Sequence, residues 1–164
     1  MDERMVIILM GVTGSGKTTI GRLLSKQLGW KYYDADDFHS AANVAKMRSG
    51  IPLNDADREP WLEALGRLVR DSLERGENMV LGCSALKESY RDYLLLDESV
   101  RLVYLKGDYE TIRQRLDERR DHYMNPKLLD SQFETLEEPA DALSVDVSPT
   151  PPEIVQTIRQ RLGL

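Results

Sequence analysis

A single cysteine, Cys83, stands in 164 residues, so no internal disulfide can form. No amino-terminal apolar segment with a cleavage site is present, and no apolar run is long enough to span a bilayer. Excess positive charge is missing too: 22 basic against 28 acidic residues leave a net charge of −6, and neither half of the chain is strongly basic. That argues against general nucleic-acid binding or attachment to anionic membranes, and any anionic substrate must meet locally placed cations. Internal repeats, low-complexity tracts and linkers are also lacking. The length suits one domain, residues 1–164, whose substrates share one cleft. The expectation is a soluble, cytoplasmic protein.

What is present starts with Gly11-Val12-Thr13-Gly14-Ser15-Gly16-Lys17-Thr18, a G-x-x-x-x-G-K-[ST] loop directly after the apolar run at 5–10. Glycines let backbone N–H groups turn inward around phosphate oxygens. A lysine at Lys17 reaches the β- and γ-phosphates, and a hydroxyl at Thr18 can ligate magnesium. The pattern implies a bound nucleoside triphosphate.

Ile20, Leu23, Leu24 and Leu28 recur at helical spacing before Gly29, which predicts a helix over 17–28 with its N-terminus at the phosphates. Further strands are predicted at 30–34, 79–83, 101–105 and 143–147. They alternate with helices from Pro60 to Gly76, then around 86–95, 108–119 and 127–136, and finally from Pro151 to near Gly163. Strands alternating with helices predict a parallel sheet of five strands covered on both faces, with ligands at the carboxyl ends of the strands.

The strand at 30–34 ends in Asp34-Ala35-Asp36-Asp37-Phe38-His39. Carboxylates beside a transferred phosphoryl group raise repulsion unless they hold magnesium or accept the proton of an attacking hydroxyl, and Asp34 and Asp36 are the candidates. The strand at 79–83 lacks the magnesium-linked aspartate that often ends a strand in phosphate-loop enzymes. Asp34, acting through metal-bound water, is its expected substitute. The Asn-Lys-x-Asp guanine signature is absent.

Arg48 and Arg58 flank a turn-rich segment that suits either anion capture or ordinary surface pairing with neighbouring acids. Lys87 and Arg91, one helical turn apart, either hold a substrate anion or meet Glu88 and Asp92 in solvent. Cys83 reads as a small buried residue, because phosphoryl transfer needs no thiol. The charge-rich run 113–123 has the pattern of a solvated helical face or of a lid carrying arginines.

Beyond the phosphate loop, several blocks closely resemble the gluconokinase family over nearly the whole chain. They are Asp34-x-Asp36…His39, Lys46-Met-x-Ser-Gly-x-Pro-Leu-Asn-Asp-x-Asp-Arg58-x-Pro-Trp, Cys83-Ser-Ala-Leu-Lys87-x-x-Tyr-Arg91-Asp, Tyr104-Leu-Lys-Gly-Asp and Ser131-Gln-Phe-x-Thr-Leu-Glu-x-Pro139. The resemblance implies transfer of the γ-phosphoryl of ATP to the 6-hydroxyl of D-gluconate, giving 6-phospho-D-gluconate for the pentose phosphate pathway. It implies a three-layer αβα P-loop kinase fold like that of shikimate and nucleoside monophosphate kinases, with a mobile lid at about 119–127. It also implies ATP and Mg2+ as cofactors, and a homodimer for which apolar area on the 60–75 helix is the candidate contact. Residues 11–18 would bind ATP, with Lys17 on the phosphates and Thr18 and Asp34 on magnesium. Asp36 would be the base. His39, Arg48, Arg58, Lys87, Arg91 and Gln132 would line the gluconate site, with a cation taking the carboxylate. Arg115 and loop 147–150 would meet adenine, and Arg119 would be the lid arginine on the phosphates. Asp121 and Tyr123 depart from the glycine and phenylalanine usual there, which bears on lid closure.

Overall fold

A computed structural model of the chain describes residues 4–118 and 127–164. Five parallel strands form one sheet in the order β2-β3-β1-β4-β5: β1 (Val6–Met10), β2 (Lys31–Asp34), β3 (Met79–Gly82), β4 (Val100–Lys106) and β5 (Leu143–Asp146). Every residue of β1 is buried, as expected for the central strand of a sheet covered on both faces. Side chains alternate between the two layers. Val6, Ile8 and Met10 join Trp61, Leu65 and Val69 of α3 (Asp55–Arg75), whereas Ile7 and Leu9 join Leu24 of α1 (Lys17–Leu28) and Val155 and Ile158 of α7 (Pro151–Leu162). Burial of each such aliphatic side chain contributes about 1.5–3 kcal/mol before entropy is counted. The order of the strands reverses direction at β1, so the carboxyl end of β1 is the switch point where α/β sheets bind ligands.

The remaining helices among the described residues are α2 (Ala41–Arg48), α4 (Glu88–Arg91), α5 (Tyr109–Asp117) and α6 (Lys127–Thr135), and a 3-10 turn, Ala35–Phe38, follows β2. The sheet, α1 and α7 match the sequence pattern to within a residue or two. Three elements differ. Residues 41–48 form a helix rather than loop, because the Ser40 side chain accepts the Asn43 N–H and caps its start. The long helix begins at Asp55, five residues before Pro60, because Asn54 and Asp57 form a capping box. Pro60 therefore lies inside the helix, where it cannot donate a backbone bond and its ring crowds the carbonyl four residues earlier. The helix predicted at 86–95 is the short α4, followed by turns.

The apolar residues of α3 point inward, so that helix does not supply the expected contact area: Trp61, Leu62, Leu65, Val69 and Leu73 are all buried. The exposed large apolar side chains among the described residues are Ile51, Tyr93, Leu95, Leu96 and Tyr109. No described helix is long and apolar enough to cross a membrane. The lid positions Arg119, Asp121 and Tyr123 lie outside the described residues.

Candidate active site

The phosphate loop runs from the end of β1 into α1. Gly14 and Gly16 adopt φ of 82° and 100°, conformations that side chains other than glycine's rarely tolerate. Gly16 occupies the N-cap of α1 without any side-chain cap, and the first turn carries no acid, so the positive end of the helix dipole faces the loop. Thr13 Oγ1 and Ser15 Oγ are buried and, among the described residues, have no hydrogen-bond partner. Buried hydroxyls left unpaired cost free energy, and phosphate oxygens are the acceptors that such donors fit. Lys17 folds back over the loop, donating from Nζ to the carbonyls of Gly11 and Val12 at 2.9 and 3.0 Å.

Beside the loop, Asp34 closes β2. Its Oδ2 accepts the Thr18 hydroxyl at 3.1 Å, and its Oδ1 accepts the Asp36 N–H at 3.0 Å, capping the turn that carries Asp36. A hydroxyl and a carboxylate in contact at the phosphate end of α1 form a donor set that fits a hard divalent cation completed by phosphate oxygens and water. Among the described residues no group of three or more His, Cys, Asp or Glu could hold a metal by itself. Cys83 is fully buried and its thiol is pushed up to about 12, mainly by burial, which leaves it inert.

Next to the turn lies a narrow cleft lined by Asp36, His39, Arg58, Trp61, Ser84 and Gln132, with Met47, Leu53, Leu86 and Leu128 as apolar walls. The Trp61 indole donates to the Ala35 carbonyl at 2.7 Å and stacks on the His39 ring, with centroids 4.2 Å apart. Burial, and then the Arg58 charge, pushes His39 down to about 4. Arg58 is positioned through Nη1, which donates to the Leu53 carbonyl at 2.7 Å and the Tyr90 hydroxyl at 3.0 Å. Its remaining donors have no protein partner among the described residues. The Tyr90 hydroxyl in turn donates to Asp55 Oδ1 at 2.8 Å, and Lys87 pairs with the same oxygen at 3.5 Å. Both cations also approach the Tyr90 ring, Arg58 at 5.2 Å and Lys87 at 5.5 Å from its centroid. This pairing holds the Asp55 carboxyl below its ordinary range, first through the Tyr90 hydroxyl and then through Lys87.

Several expected site residues therefore sit together, and others do not. Asp36, His39, Arg58 and Gln132 share the cleft. Gln132 does more than face it, since its Oε1 accepts the Thr13 N–H at 2.7 Å and ties α6 to the phosphate loop. Arg115 lines a neighbouring cavity with Gly14, Thr19, Val147 and Pro149, and its guanidinium donates to the Val147 carbonyl at 2.8 Å. Arg91 lies apart from that cleft. It is buried, its Nη1 donates to the carbonyls of Ala85 and Leu86 at 2.8 and 3.3 Å, and it lines a different cavity with Glu88 and Arg101. Lys87 precedes α4 instead of sharing a helical face with Arg91, and reaches the cleft only through Asp55 and Tyr90. Arg48 is exposed at the end of α2, outside the cleft wall. Nothing in the local sequence pattern marks Tyr90 for a role in the site. For Asn43 the Ser40-x-x-Asn43 cap is the available signal, because it announces a helix that brings His39 and Asn43 together.

Comparison with known proteins agrees with this geometry. The shikimate kinase family model matches residues 13–162. A mouse protein named "Probable gluconokinase" is 42% identical, with 99% of this chain and 100% of that protein covered. A sugar kinase from Janibacter superposes with a TM-score of 0.90 at 37% identity, covering 98% of this chain and 95% of its own. A gluconokinase from Sinorhizobium meliloti superposes with a TM-score of 0.85 at 35% identity, covering 99% and 98%. Identity of 42% over nearly the whole of both proteins, together with these superpositions, places the chain in the gluconokinase family of P-loop kinases.

Proposed function

We propose that the chain transfers the γ-phosphoryl group of ATP to the 6-hydroxyl of D-gluconate. The observation that carries this proposal is the Asp34–Asp36 turn, which sets one carboxylate against Thr18 of the phosphate loop and the other in the wall of the adjoining cleft. The loop amides and Lys17 bind the phosphates, and Thr18 and Asp34 would hold magnesium, Asp34 through water. Bound magnesium-ATP supplies an electrophilic phosphoryl group with its charge partly neutralised. Asp36 accepts the proton of the 6-hydroxyl as that oxygen attacks. Among the described residues that line the cleft, Arg58 is the cation, which makes it the proposed partner of the gluconate carboxylate. Positioning and electrostatics supply most of the acceleration in this reaction class, so preset side chains are what the reaction requires.

Arg115 and loop 147–150 would contact adenine, a role supported by their shared cavity beside the phosphate loop. Arg119, on a lid spanning about 119–127, would stabilise charge on the transferring group and help exclude water. A cytoplasmic homodimer completes the proposal; Tyr93, Leu95 and Leu96 offer exposed apolar surface for the contact. Product analysis tests the chemistry: 31P and 13C NMR of the product should place the phosphate on carbon 6 of gluconate. Phosphate on any other hydroxyl would contradict it.

A further inference from the structure

We infer that Asn43 holds His39 as the neutral tautomer protonated on Nε2, so that His39 serves the cleft as a hydrogen-bond donor to a substrate oxygen and Asn43 is a positioning residue for acceptor recognition. The proposal rests on the cleft being the acceptor site. Asn43 is buried, and its Nδ2 lies 2.9 Å from the Asp57 backbone carbonyl. A carbonyl oxygen only accepts, so the amide must turn its NH2 group toward it. The same NH2 group lies 3.3 Å from His39 Nδ1, which must therefore be the bare, accepting nitrogen. In a neutral imidazole the proton then resides on Nε2.

The surroundings reinforce that state. One face of the ring is covered by Trp61, and Nδ1 is occupied by Asn43, so Nε2 is the polar atom left for the cleft that His39 lines. Among the described residues, the charged groups facing that cleft are Asp36 from the turn and Arg58 from α3. Burial and the Arg58 guanidinium hold the ring neutral at pH 7. Asp57 is itself anchored, its carboxylate accepting from Asn54 N–H at 3.0 Å and from Lys46 Nζ at 3.1 and 3.0 Å. The carbonyl that orients Asn43 is thereby fixed. A neutral donor recognises a hydroxyl or carboxylate oxygen without adding charge, so the anionic group of the acceptor is left to Arg58.

The test uses the full-length protein labelled with 15N in histidine, with the His39 signals identified from a His39→Gln sample. At pH 7, without substrate, the spectrum should show a protonated Nε2 and a bare Nδ1. A proton on Nδ1, or a charged ring, would overturn the proposal. In Asn43→Asp the new carboxylate demands a proton on Nδ1, so the tautomer should switch or the ring become charged; an unchanged Nε2–H spectrum would overturn the role of Asn43. Should that variant fail to fold, Asn43→Leu removes the donor without adding charge and should give mixed tautomers. Either variant should raise the KM for gluconate roughly 3- to 10-fold, the worth of one misaligned hydrogen bond, with the KM for ATP unchanged. Equal losses for both substrates would reduce Asn43 to a structural residue and overturn the recognition role. Unmodified enzyme that ignores gluconate would instead refute the assignment of the acceptor, whereas the tautomer is decided by the spectrum alone.

Discussion

Thr18 Oγ1 donates a 3.1 Å hydrogen bond to Asp34 Oδ2, joining the first turn of α1 to the end of β2. The second oxygen of that carboxylate caps the turn bearing Asp36, at 3.0 Å from the Asp36 nitrogen. One side chain thus ties the proposed metal-binding end of the phosphate loop to the proposed base.

Asp34→Asn should raise the magnesium concentration needed for half-maximal rate and lower kcat on the order of 100-fold, since it weakens metal binding and presents an NH2 group to N–H and O–H donors. Rates measured across a magnesium titration at saturating ATP read this directly. Unchanged magnesium dependence would detach Asp34 from the metal.

Asp36→Asn removes the proton acceptor while keeping size and shape. Turnover should fall about 100- to 10,000-fold with nucleotide affinity retained, measured by steady-state kinetics and calorimetry on the same sample. Near-normal turnover would place the base elsewhere.

Tyr90→Phe keeps the buried ring but deletes the hydroxyl between Arg58 and Asp55. Arg58 loses one of the two partners of its Nη1, and the KM for gluconate should rise roughly 3- to 10-fold while the KM for ATP stays put. A variant indistinguishable from the unmodified enzyme would show that Leu53 alone positions Arg58.

Stability should depend on pH through His39, whose ring is pushed from 6.5 to about 4 in the folded protein. Above pH 6.5 the ring is neutral in both states, and its contribution is fully present. As pH falls from 6.5 toward 4, the unfolded chain takes up a proton that the folded protein refuses, so stability declines across that window. Urea unfolding at a series of pH values should show this decline, and His39→Gln should flatten it. Identical slopes in the two proteins would contradict the burial of a neutral ring.

The parts of this architecture legible in the sequence were those written in local periodicity and short-range chemistry. The run before Gly11 reads as a central strand because all of it is apolar, and Ile20, Leu24 and Leu28 mark α1 by spacing alone. The phosphate loop was equally plain, since each of its residue types has a chemical task. Residues 41–48 were not legible as a helix because Val44 and Met47 are its only large apolar side chains, and the Ser40 cap carries the rest. The separation of Lys87 from Arg91 was hidden as well. Just before Lys87, Ala85 takes a left-handed φ of 45°, and its carbonyl accepts from the Arg91 guanidinium. Backbone strain of that kind, about 1–3 kcal/mol, leaves no mark in spacing when the residue is not glycine. Tyr90 likewise could be placed in a motif, but its bridge from Arg58 to Asp55 spans α3 and α4 and exists only once those elements pack.

Phosphoryl transfer to a sugar acid held beside the Asp34–Asp36 turn is the proposed chemistry. The most direct measurement follows turnover with magnesium-ATP on D-gluconate and on shikimate in parallel, coupling 6-phosphogluconate to its dehydrogenase and reading ADP release for both. Gluconate should be phosphorylated and shikimate ignored, and Lys17→Ala should abolish the signal. ADP release with shikimate but not with gluconate, or with neither acceptor, would contradict the assignment.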